Sequence, residues 1–167
     1  MKWLKSHPKN RIALISDSDQ EKLTYLDLYK TVKSYSYYFS ENSKGGVALV
    51  NCNNSISSIC AYLASLDAGI PLIMGEQRSM QNLIEKYQPE MIIRSESDAS
   101  NEGYGEISKL SFGSILEISQ KYKNEKNKPH KELALMLSTS GSTGTSKVVR
   151  LSLANLETNA RSIIKYL

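Results

Sequence analysis

The amino-acid sequence predicts an α/β fold, a largely parallel sheet flanked by helices. Three features carry that expectation. Apolar runs of strand length alternate with segments of helical period along most of the chain. The connections between the early strands are too long for hairpins and have the length of crossover helices. The strand runs, such as Gly46 to Asn51 (GVALVN), show little alternation of polar and apolar residues, as expected when helices cover both faces of a sheet.

The elements follow in order. Arg11 to Ser16 (RIALIS) predicts a first strand, closed by the turn residues Asp17, Ser18 and Asp19. Thr24 is placed to cap a helix, with Asp27 three residues on as the acidic half of a capping box. Leu28, Val32, Tyr35 and Phe39 recur on one face and supply its buried stripe. After the strand at 46–51, Ser55 caps a second helix carrying Ile56, Ile59, Cys60, Leu63 and Leu66, and Gly69 stands where a left-handed stop belongs. Ile70 to Met74 is the next strand, with Pro71 near its start, where a missing donor is tolerated. Ser79 to Tyr87 is a short helix ended by Pro89, and Met91 to Arg94 a strand. The stretch 96–105 is polar and predicts an exposed loop. Ile107 to Ser119 fits a strand with a short helix as well as it fits two strands. Residues 121–131 (KYKNEKNKPHK) form a charged linker, Leu133 to Ser138 a buried strand, Val148 to Ser152 a further strand, and Ala154 to the end a helix.

The 167 residues are expected to form one domain, spanning 1–167. Apolar residues at 40% and charged residues at 23% exclude a disordered or fibrous chain. Two cysteines, Cys52 and Cys60, fit neither a disulfide framework nor a four-ligand zinc site, and suggest a reducing, cytoplasmic setting. Lysines and Pro8 interrupt the N-terminal apolar residues, so no signal peptide is expected. No apolar run reaches membrane-spanning length. The net charge of +4 is mild. Glu125 and Glu132 interleave the basic linker, which argues against a nucleic-acid stripe.

One segment carries chemistry. Directly after the strand ending at Ser138 come Thr139, Ser140, Gly141, Ser142, Thr143, Gly144, Thr145, Ser146 and Lys147. Two glycines three apart permit a tight loop whose backbone N–H groups turn inward without Cβ obstruction. Hydroxyls at nearly every other position add neutral donors, and the lysine adds a point charge suited to phosphate oxygens. The spacing matches neither the G-x-x-x-x-G-K-[ST] nor the G-x-G-x-x-G pattern.

The stretch STSGSTGTSKVVRLSLANL resembles the signature of the adenylate-forming superfamily, which includes acyl-CoA synthetases, nonribosomal peptide adenylation domains and luciferases. Leu23 to Leu28 (LTYLDL) and the segments 47–50 and 61–71 (AYLASLDAGIP) are similar to further family stretches, in family order. The resemblance implies the N-terminal part of that family's fold. Thr139, Ser140, Gly141, Ser142, Thr143, Gly144 and Lys147 would hold the ATP phosphates, with Lys147 the residue acting on the departing pyrophosphate. It implies ATP with Mg²⁺ as cofactor, a carboxylic acid as substrate, and the thiol of CoA or of a carrier protein as acceptor. Ser146, Val148 and Leu153 depart from the family's usual proline, glycine and histidine.

No metal ligands are assigned. Asp17, Asp19 and Glu21 lack the glycine and terminal glutamate of a calcium loop. His7 and His130 lie in polar context and predict solvent-exposed structural roles, and no nucleophilic triad is supported. Cys60 falls on an apolar helix stripe and predicts a small core residue. Because the family's adenine site, hinge and C-terminal domain are not among these residues, the chain alone is expected to be inactive. The alternative is a non-catalytic α/β module that binds phosphate or a nucleotide. The bare C-terminal helix further predicts a homodimer.

Overall fold

A computed structural model of the chain describes residues 6–16, 21–95, 103–112, 114–119, 128–138 and 148–167. Nine strands and four α-helices are described: β1 (Ile12–Ile15), β2 (Lys22–Thr24), α1 (Tyr25–Asn42), β3 (Ala48–Asn51), α2 (Ile56–Ala68), β4 (Leu72–Gly75), α3 (Met80–Tyr87), β5 (Met91–Ser95), β6 (Tyr104–Leu110), β7 (Ser114–Ser119), β8 (Leu133–Ser138), β9 (Val148–Ser152) and α4 (Leu153–Tyr166). A 3₁₀ turn, Gln77–Ser79, precedes α3.

The main sheet runs β6-β7-β5-β3-β4-β8-β9. Its four central strands, β5, β3, β4 and β8, are parallel. Strands β7 and β6 on one side and β9 on the other are antiparallel additions. Within the parallel centre, α2 joins β3 to β4 and α3 joins β4 to β5, whereas β8 follows the antiparallel strands β6 and β7.

Three local expectations change. The first strand does not join the main sheet: β1 pairs antiparallel with β2, Ile12 opposite Thr24 and Ile15 opposite Lys22. The strand interpretation of 107–119 resolves as two strands, and β6 begins at Tyr104, inside the stretch expected to be loop. Tyr104 is drawn in because its hydroxyl donates to the Pro89 carbonyl at 2.6 Å while its ring packs on the core. The last helix begins one residue earlier than expected, at Leu153, because Ser152 and Asn155 form a reciprocal capping box.

Thr24 and Asp27 form the predicted capping box of α1, and Leu28, Val32, Tyr35 and Phe39 are all buried. Ser55 caps α2, and Gly69 at φ 69° ends it, its N–H bonded to the Ser65 carbonyl. Helices α1 and α2 cover one sheet face over Ala48, Val50, Leu72, Met91, Ile93 and Leu116. Helix α3 covers the other over Leu49, Ile73, Ile92 and Met136. Glu90, almost fully buried, accepts from Ser43 Oγ and the Lys44 N–H, both at 2.8 Å, and so ties the end of α1 to the start of β5. Cys60 lies in the core as expected, and burial pushes its thiol up to about 12. Among the described residues no helix is long and apolar enough to cross a membrane.

Candidate functional site

The four parallel strands end side by side, so one edge of the sheet carries Ser95, Asn51, Gly75 and Ser138 in spatial order. From β3 the chain crosses to β4 on one side, then returns to β5 on the other. The helices leave the sheet in opposite directions at that point, opening a crevice at the carboxyl ends of β3 and β5, where open α/β sheets bind ligands. A cavity of about 300 Å³ lies there, lined by Asn51, Asn53, Ser55, Ser57, Ser95 and Ser114 among others.

The first turn of α2 opens onto this edge and contributes its partial positive charge. Ser55 accepts from the Ser58 N–H, and Asn53 Oδ1 accepts from the Ser55 N–H, which holds the strand-to-helix turn in shape. Ser57 and Ser114 share a short hydrogen bond, and the Tyr35 hydroxyl donates to the Ser111 carbonyl at 2.6 Å. Asn51 Nδ2 donates to Gln77 Oε1 at 2.6 Å, linking the ends of β3 and β4. The polar part of the cavity wall is thus mostly hydroxyl and amide, joined by Arg94, with no carboxylate among its lining residues. Sequence reasoning missed this group. The run Asn51-Cys52-Asn53-Asn54-Ser55, polar directly after an apolar strand, was the available signal.

The residues expected to hold phosphate, Thr139, Ser140, Gly141, Ser142, Thr143, Gly144 and Lys147, all lie outside the described residues. Their frame is described. Strand β8 pairs with β4 through Leu72–Leu135, Ile73–Met136 and Met74–Leu137, which sets Ser138 at the same edge as Gly75. Ser138 is in turn paired with Val148 across the antiparallel β8–β9 ladder. The segment 139–147 therefore leaves and re-enters the sheet at directly opposed residues on the carboxyl edge.

Gly75 packs closely beside that frame. A Cβ there would overlap Leu83 Cδ1 of α3, so that side chain would have to shift to admit any larger residue. Among the described residues no group of three or more His, Cys, Asp or Glu side chains is placed to hold a metal ion. His7 and His130 are exposed, His7 stacking on Tyr25 at 4.3 Å and His130 Nδ1 accepting from the Glu132 N–H. Of the charged linker, 121–127 lie outside the described residues.

This architecture has solved relatives. The chain is similar to ATP-bound MatB from Rhodopseudomonas palustris, at 19% identity and a TM-score of 0.69, covering 98% of this chain and 36% of that one. It is similar to o-succinylbenzoate CoA synthetase (MenE) from Bacillus subtilis in complex with its acyl-adenylate intermediate, at 17% identity and a TM-score of 0.70, covering 99% and 45%. A fatty acyl-adenylate ligase from L. pneumophila, in complex with acyl adenylate and pyrophosphate, gives 20% identity and a TM-score of 0.67, covering 98% and 31%. The chain thus spans less than half the length of these relatives. No curated protein matches it in sequence. The profile of the AMP-binding enzyme family matches residues 2–166, nearly the whole chain. By that match over nearly its whole length, the chain belongs to the AMP-binding enzyme family.

Proposed function

We propose that this chain is the phosphate-binding lobe of an ATP-dependent, carboxylate-activating ligase. The observation that carries the proposal is the family match over 2–166, with the Ser/Thr/Gly-Lys segment falling between two strands paired at the carboxyl edge of the sheet. In the complete enzyme a carboxylate oxygen attacks the α-phosphorus of ATP, the bond to the bridging oxygen breaks, and pyrophosphate leaves with its electron pair. A thiol, that of CoA or of a carrier protein, then displaces AMP. Neutral donors from Thr139, Ser140, Ser142 and Thr143 hold the β- and γ-phosphates, Gly141 and Gly144 let the backbone approach them, and Lys147 stabilises charge on the departing pyrophosphate. A Mg²⁺ ion bound with the nucleotide would supply further charge stabilisation on the phosphates.

By themselves the 167 residues are expected to bind phosphate without catalysing, because the family's adenine site was not matched among them. Orientation accounts for about 7–11 kcal/mol of such barriers. Titrating pyrophosphate into the purified chain tests the proposal. Saturable binding that Lys147→Ala weakens is the expected result. Absent binding, or binding indifferent to Lys147, would remove the phosphate-loop assignment.

A further inference from the structure

We draw no further inference here: the strongest candidate, the cavity of about 300 Å³ at the carboxyl ends of β3 and β5, rests on the first turn of α2 and on serine hydroxyls bonded to one another, and nothing in the structure shows what fills it.

Discussion

Arg94 Nη2 donates to Glu117 Oε1 at 2.5 Å between β5 and β7, with the two side chains only 4% and 2% exposed. Ile92 is the residue directly opposite Glu117 and Ile115 the one opposite Arg94, so the ion pair is diagonal on one sheet face. Arg94 Nε and Glu117 Oε2 are buried without a hydrogen-bond partner among the described residues. The pair joins the antiparallel flank to the parallel centre at a high desolvation cost, and each charge depends on the other.

Removing one member should therefore do more harm than removing both. Glu117→Ala is expected to destabilise the chain by about 3–5 kcal/mol, leaving a guanidinium buried and unpaired. The double replacement Arg94→Met with Glu117→Leu should return to within about 1 kcal/mol of the parent, because the lost attraction is matched by the lost desolvation penalty. Urea unfolding of the three proteins checks this. Equal losses for the single and double variants would contradict it.

Asp67 on α2 receives the Lys33 ammonium of α1 at 2.6 Å. Burial pushes its carboxyl up, but hydrogen bonds from Lys33 and Ser36 outweigh burial and hold it down at about 2. A carboxyl lowered by folding adds stability that is fully present above its unfolded value of 3.8 and is lost as pH falls toward 2. Asp67→Asn should accordingly cost about 1–2 kcal/mol at neutral pH, allowing for the exposure of Lys33, and almost nothing at pH 2. Thermal unfolding at the two pH values reads the difference. A penalty independent of pH would exclude the ion pair as its source.

Gly69 ends α2 at φ 69°, and a Cβ built there meets nothing within 4 Å. The whole cost of Gly69→Ala is then backbone strain in the left-handed region, about 1 kcal/mol, with no packing term. Gly69→Asn, which tolerates that conformation, should recover part of the loss. Equilibrium unfolding distinguishes the two variants, and an alanine variant as stable as the parent would count against the strain.

Lys147→Ala in the complete enzyme should slow adenylate formation by ~30–1000-fold, about 2–4 kcal/mol, while carboxylate binding changes little. In the proposed role the lysine meets charge that develops only as pyrophosphate departs, so its loss is expected to fall on the rate of the chemical step. Pyrophosphate exchange within twofold of the parent would refute that role.

The sequence alone determined the elements whose cause is local. Thr24 and Asp27 cap α1 through contacts three residues apart, Gly69 stops α2 by its own backbone freedom, and Leu28, Val32, Tyr35 and Phe39 share a face because a helix turns every 3.6 residues. The Ser/Thr/Gly-Lys segment at 139–147, on which the phosphate-loop proposal rests, stands out for the same reason, as a contiguous string. What only the tertiary structure decided was pairing between distant segments. Nothing near Arg11 to Ser16 in sequence indicates that this strand turns aside to pair with Lys22 to Thr24 while the main sheet starts at Ala48. Nor does any local signal show that β5 lies beside β3, which places Asn51, Ser57 and Ser114 around one cavity. Arg94 and Glu117 are separated by 23 positions, and no link between them was drawn from the sequence. Their partnership arises from strand register, a property of how the whole sheet buries its apolar faces, and no short window of residues contains it.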